Sequence, residues 1–233
     1  MRLKEVGIIL TPTFRAHAYL QKLTKNGMIP NFAIVMSNKK DTLKLIAKEN
    51  AQHFFDEFQD FKTILEKFNI RHEEVEAEDC NDKKLINIIK QRKETYFIYT
   101  GGGILKEEIL NVGKKFIHVH PGIVPQYRGS TCIYYSIINE DKCGATAFFM
   151  SKKIDAGKVI GKKVFKKPRI CSIDYEYDCY MRSSLLVDVM KKYIKRGKFE
   201  SKQQNYNKGE TYFIIHPVLK HLAILSCVPH EKI

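Results

Sequence analysis

The sequence predicts an α/β fold: a doubly wound, mostly parallel sheet with helices on both faces and a small C-terminal extension. Three observations predict it. Short apolar runs alternate with segments of helical period. The runs are nearly continuous in apolar residues, as strands buried on both faces are. Two of them stop at glycine- or proline-rich turns, at Gly101-Gly102-Gly103 and at His120-Pro121-Gly122.

Residues 6–10 read as the first strand. Residues 15–25 follow as a helix, with Ala16, Tyr19, Leu20 and Leu23 on one face and Asn26-Gly27 as its stop signal. Residues 32–36 form a second apolar run. Residues 60–68 place Phe61, Ile64, Leu65 and Phe68 on one helical stripe. Residues 82–92 form another helix, capped by Asn81 or Asp82, with Leu85, Ile86 and Ile89 buried. Strands at 96–99 and 116–120 flank a short helix at 106–110. Beyond Gly144 the pattern changes to two strands, 145–150 and 158–165, and a long helix over 174–194. A polar stretch, 196–209, separates the main unit (1–195) from the extension (196–233), in which 210–216 alternates as a strand does.

The chain has 233 residues and a formal net charge of +14. That length buries a substantial core without staples. No apolar run approaches a membrane span, and the N-terminus lacks a signal-peptide apolar region, so a cytoplasmic location is expected. The six cysteines, Cys80, Cys132, Cys143, Cys171, Cys179 and Cys227, form no CxxC pair and read as reduced thiols. Lysines outnumber arginines 32 to 8, which favours a solvated basic surface over base-reading contacts. An anionic ligand is the sharper reading of the charge, and nucleic acid is not expected. The eight basic residues within 152–169 fit a solvated hairpin better than a phosphate site.

In doubly wound sheets ligands sit beyond the carboxyl ends of the strands. His118 and His120, two apart on a strand, face one side at such an end. A positioned histidine pair serves as acid, base and donor; it also fits a hydrogen-bonded core pair or, with a carboxylate, a metal site. Asp155, 35 residues beyond His120, lies in a turn and either bonds its own backbone or orients a histidine. Gly101, Gly102 and Gly103 let backbone approach a flat or anionic ligand. Pro121, Gly122, Arg128 and Gly129 are candidate substrate-binding residues, Arg128 by meeting an anion.

The run His118-Val119-His120-Pro121-Gly122-Ile123-Val124-Pro125-Gln126-Tyr127-Arg128-Gly129, with Ile154-Asp155-Ala156-Gly157 downstream, resembles the 10-formyltetrahydrofolate-dependent formyltransferases. These include methionyl-tRNA, glycinamide ribonucleotide and sugar-nucleotide enzymes. The resemblance implies a Rossmann-like catalytic unit and transfer of a formyl group from 10-formyltetrahydrofolate to an amine. It makes His120 the catalytic histidine and Asp155 its partner. It places folate against Tyr99, Gly101, Gly102, Gly103, Ile104 and Leu105, facing Met150 and Ile154. His118 stands where the family carries an asparagine that donates to the formyl oxygen. No metal is implied. The expected partner is a small-molecule amine, a nucleotide-linked sugar ahead of methionyl-tRNA, in a chain that can form a homodimer. A hydrolase or a non-catalytic binding module on the same fold are the alternatives.

Overall fold

The computed structural model describes residues 1–37, 55–56, 59–169 and 172–227. Seven strands form one sheet in the order β3-β2-β1-β4-β5-β7-β8. The first five in chain order, β1 (Arg2–Leu10), β2 (Ile29–Ser37), β3 (Arg71–Glu76), β4 (Tyr96–Tyr99) and β5 (Lys115–His120), run parallel. β7 (Lys142–Phe149) and β8 (Val159–Lys166) add an antiparallel hairpin at one edge. β1 lies between β2 and β4, so the strand order reverses beside it. That reversal opens the crevice in which such sheets bind ligands.

Both faces are covered. α1 (Phe14–Lys25) and α6 (Asp178–Arg196) pack on one face, where Tyr19, Leu20, Leu23, Leu186 and Met190 meet Ile8, Ile98, Ile117 and Val119. α3 (Lys83–Gln91) packs on the other, where Leu85, Ile86 and Ile89 meet Ile9, Phe97, Tyr99 and Phe116. α2 (Phe61–Lys67) buries Ile64 and Leu65 on the first face, and α4 (Glu107–Leu110) buries Ile109 on the second. Local chemistry sets the ends: Asp82 caps α3 through Lys84 N at 2.8 Å, as expected, and Thr13 caps α1 through Ala16 N.

Several elements depart from the sequence pattern. Residues 174–194 are not one α-helix: Ile173–Tyr177 is a π-helical turn, and α6 begins at Asp178. The expected strand at 210–216 ends early, leaving β9 (Glu210–Tyr212); α7 (Pro217–Leu225) follows, with Pro217 at its first turn. β9 pairs with β6 (Tyr127–Gly129), and α7 packs on α5 (Cys132–Glu140). The extension therefore lies against the main unit, and Lys202 pairs with Val159 on β8. Cys80, Cys132, Cys143, Cys179 and Cys227 are buried; Cys171 lies outside the described residues. Among the eight basic residues of 152–169, Lys152, Lys163 and Lys167 form ion pairs, as a solvated hairpin does. Among the described residues, no helix is long and apolar enough to cross a membrane.

Candidate active site

β5 delivers both histidines to the carboxyl end of the sheet. It pairs antiparallel with β7, with His118 opposite Phe148 and His120 opposite Thr146. Thr146 then holds the turn beyond the strand: its hydroxyl donates to Gly122 O at 2.7 Å and accepts from Val124 N at 3.2 Å. The Val124–Pro125 peptide is cis.

His120 is 2% exposed. Its Nε2 lies 2.9 Å from Tyr127 O and its Nδ1 lies 3.3 Å from Asp155 Oδ2. Both ring nitrogens thus face acceptor oxygens. A proton at Nε2 satisfies the first; the second contact is completed by a proton on Nδ1 or on the carboxyl. The pair can therefore take up and return a proton. Burial lowers the His120 pKa, and the Asp155 carboxylate opposes that shift.

Asp155 adopts the left-handed region, φ 48°. Three contacts hold it there. Gly129 N donates to its Oδ2 at 2.7 Å, and Gln204 Nε2 donates to the carbonyls of Asp155 and Gly157 at 2.7 and 2.8 Å. The neighbouring glycines fit this loop tightly. A Cβ on Gly157 would fall 1.6 Å from Phe149 O, and one on Gly129 would fall 2.1 Å from Tyr212 O. Asp155 is not a turn residue satisfied by its own backbone; its carboxylate is aimed at His120.

His118 is also buried, among Tyr99 and Phe148. Its Nδ1 has no partner. Burial, reinforced by the charges of Arg15 and Arg182, holds its pKa well below the ordinary value. It is a neutral imidazole near pH 7. Among the described residues no three His, Cys, Asp or Glu side chains cluster as a group that could hold a metal ion.

The residues singled out on the glycine-rich loop come together with those after β7. Gly103, Ile104, Leu105, Phe148, Met150, Ser151, Lys153, Ile154 and Asp155 line one crevice; Tyr99, Gly101 and Gly102, expected beside them, do not line it. Tyr99 OH donates to Gly102 O at 2.7 Å and fixes the loop from below. Pro121 and Gly122 are both buried, and Gly122 sits against His120: a Cβ there would fall 2.7 Å from His120 Nε2. Arg128 is placed differently from the anion contact read in the sequence. It is buried, donates to the carbonyls of Tyr206, Lys208 and Gly209 at 2.8, 3.1 and 3.2 Å, and lies over the Tyr206 ring. It fastens the extension to β6.

Four residues with no sequence signal belong to the site. Gln204 braces the Asp155 loop from the extension. Arg182, bonded to Asp178 at 2.8 Å, donates to Val119 O at 2.9 Å between the two histidines. Arg15, at the start of α1, donates to Gly101 O at 3.1 Å. A buried thiol nucleophile is not part of the chemistry: burial beside Asp155 pushes Cys132 up to about 12.

Fold and site together define a doubly wound α/β protein with a buried histidine paired to a partly buried aspartate at its ligand crevice. The chain belongs to the formyl transferase family, whose pattern matches residues 5–180. Curated relatives include the methionyl-tRNA formyltransferase of Borreliella afzelii, 35% identical over 100 residues, or 42% of this chain and 31% of the relative. The methionyl-tRNA formyltransferase of Thermotoga maritima is 25% identical over 153 residues, 64% of this chain and 48% of that one. The chain thus spans under half the length of these two relatives. Among solved structures, a sugar N-formyltransferase from a Shewanella species matches with a TM-score of 0.61 at 18% identity, over 98% of this chain and 89% of that one. An N-formyltransferase from Helicobacter canadensis, solved with folinic acid and dTDP-3-aminofucose, matches with a TM-score of 0.59 at 17% identity, over 91% and 71%. At these identities the solved structures establish the fold.

Proposed function

We propose that this chain transfers a formyl group from 10-formyltetrahydrofolate to the amine of an amino sugar carried on a nucleotide. The observation that carries this reading is the His120–Asp155 pair, a buried imidazole 3.3 Å from a partly buried carboxylate, at one end of a crevice walled by Gly103–Leu105 and Met150–Ile154. The apolar side chains and open glycine backbone of that crevice suit a flat, partly apolar ring system such as a pterin. The acceptor reading is supported by the fold match across 89% of the Shewanella sugar N-formyltransferase and by the dTDP-3-aminofucose held by the Helicobacter canadensis enzyme.

The neutral amine attacks the formyl carbon. A C–N bond forms and the carbonyl electron pair moves to oxygen. Neutral His118, with Nδ1 unpartnered and one ring proton, lies beside the histidine pair where that charge develops. The proton leaving the amine passes to the His120–Asp155 pair. The pair returns it to the departing folate nitrogen as the old C–N bond breaks, so the protein ends as it began. Arg182 and Asp178 hold β5 in place through Val119.

The test is release of tetrahydrofolate from 10-formyltetrahydrofolate in the presence of dTDP-linked amino sugars. Release that rises with the acceptor supports the reading. A folded chain that binds 5-formyltetrahydrofolate and releases nothing with any amine would falsify it. Preference for methionyl-tRNA over the amino sugars in the same assay would replace the acceptor and leave the chemistry standing.

A further inference from the structure

A second groove lies between the edge of the sheet and the end of α6. It holds about 420 Å³ and shares no lining residue with the crevice beside Asp155. Small-molecule sites occupy about 300–1,000 Å³. Its base is apolar: Val159 and Ile160 come from β8, Val189 from α6, and Phe199 stacks its ring on Tyr193 at 4.3 Å. Val159, Ile160 and Phe199 are only half-buried.

The rim is basic. Lys192 and Arg196 reach it from the end of α6, and Lys198 and Lys202 from the segment that follows. The carboxylates nearby are engaged elsewhere. Glu200, on the same rim, pairs with Arg196. Asp188, one turn before Lys192, pairs with Lys163 at 2.7 Å, and Glu5 accepts the Tyr193 hydroxyl at 3.2 Å. Among the described residues Lys192, Lys198 and Lys202 form no ion pair. Four cations against one carboxylate leave a surplus of three positive charges on the rim. Like charges gathered in this way repel. Nor is the rim free to drift apart, because Lys202 and Val159 exchange backbone hydrogen bonds of 2.8 and 2.9 Å. Lys162, which donates to Val124 O, has its pKa lowered by burial and then by the charge of Lys202. A solvated lysine face accounts for charge alone. It does not account for an apolar base left half open beneath the charges.

We propose that this groove is a second ligand site, which takes a phosphorylated small molecule with a flat apolar ring. The ring covers Val159, Ile160 and Phe199, and the phosphate meets Lys192, Lys198 and Lys202. Lysine binds phosphate as a compact point charge, and the phosphate supplies the countercharge that the rim lacks. Covering the base removes apolar surface from water. Occupancy of this groove is independent of the chemistry at His120.

The experiment uses pyridoxal 5′-phosphate, a ring that bears a phosphate and an aldehyde. The aldehyde carbon condenses with a lysine amine within reach, water leaves, and borohydride reduces the imine to a stable amine. The full chain is treated with less than one equivalent, reduced and mapped by peptide mass. Label concentrates on Lys192, Lys198 or Lys202, at about tenfold or more the level on Lys83, an exposed lysine of α3, as one charge-assisted contact provides. Adenosine diphosphate then protects the rim and leaves Lys83 unchanged. Inorganic pyrophosphate needs about tenfold more to do the same, because it cannot cover the base. Replacing both Lys198→Gln and Lys202→Gln, exposed positions whose change leaves the melting temperature near wild type, abolishes the preferential label on Lys192. Even labelling of Lys83 and the rim overturns the site, as does undiminished label on Lys192 in the double variant. Equal protection by pyrophosphate and adenosine diphosphate overturns the ring. Protection by a single-stranded oligonucleotide with none by adenosine diphosphate makes the face a nucleic-acid surface and overturns the small-molecule site.

Discussion

The two walls of the crevice are built differently. The glycine-rich wall is lightly held: Tyr99 OH reaches Gly102 O, and Asn81 holds Ile104 O at 3.1 Å and Lys106 N at 2.7 Å. A Cβ on Gly102 would meet nothing within 4 Å. The Asp155 wall is tied from three elements, β6 through Gly129, β7 through Phe149 and the extension through Gln204. The wall tight at Gly129 and Gly157 carries the ionisable chemistry, whereas the other is tight only at its root, where a Cβ on Gly101 would fall 2.4 Å from Tyr99 OH, and is open at Gly102. A reacting carboxylate has to be placed to within a fraction of an ångström, whereas an apolar ring tolerates more play.

The largest effect breaks the rigid wall at its chemical centre. His120→Ala and Asp155→Asn each lower kcat by about 10²- to 10⁴-fold, the range for a positioned acid–base group. Far-ultraviolet circular dichroism of both variants matches wild type. A variant that keeps most of its turnover at saturating donor removes the assigned role.

The glycines contrast the walls directly. Gly157→Ala forces a methyl group against Phe149 O and destabilises the chain by about 3 kcal/mol, the upper range for overpacking. Gly102→Val leaves the urea midpoint nearly unchanged, since a Cβ there meets nothing within 4 Å, and instead weakens 5-formyltetrahydrofolate binding by stiffening the loop that carries Gly103–Leu105 to the crevice. Equal stabilities in the two variants would erase the distinction between the walls.

Gln204→Leu removes both donors to the Asp155 loop and leaves two carbonyls unpaired. Each buried unsatisfied group costs about 1–3 kcal/mol. Much of that appears as a mispositioned carboxylate, so kcat falls about tenfold while the KM for the donor holds. Kinetics against both substrates separate this from general destabilisation, which lowers active protein and leaves kcat per folded chain intact.

The contrast also explains what the sequence made legible. β1, β2, β4 and β5 are apolar runs, and α1 and α3 carry helical stripes and caps, so local pattern and burial agree. β3 reads RHEEVE, a charged edge strand with one buried apolar residue, and gives no run to find. α5 reads CIYYSIINE, rich in β-branched and aromatic residues that favour strands, and tertiary burial of Ile133, Tyr134 and Ile137 overrides that preference. His118, His120 and Asp155 stand out as candidates through the resemblance of 118–129 and 154–157 to the formyltransferases. Gln204 and Arg15 do not, because each acts through a partner 49 or 86 residues away. Arg128 looked like a ligand contact for the opposite reason: a loop arginine gives no sign that a later segment will cover it.

The smallest effect concerns His118, which faces the lightly held wall. Burial keeps its folded pKa well below the ordinary 6.5, so folding favours the neutral ring. Between the two values the unfolded chain binds more protons than the folded one, and stability rises with pH there. The contribution is complete above pH 6.5 and is lost as pH falls through 6.5 toward the folded pKa, with a limiting slope of about 1.4 kcal/mol per pH unit per proton. His120 and His17 shift in the same direction and steepen the same limb. His118→Asn removes one of the three, so the fall in stability between pH 6.5 and 5 becomes shallower. Denaturant titrations at several pH values read this directly, and an unchanged slope would mean that His118 titrates normally. The same variant probes the chemistry. Asparagine also offers an N–H donor, so turnover at pH 7.5 stays within a few-fold of wild type, and no alkaline limb disappears because the ring was already neutral. A lost alkaline limb would show instead that a protonated His118 stabilises the developing oxyanion.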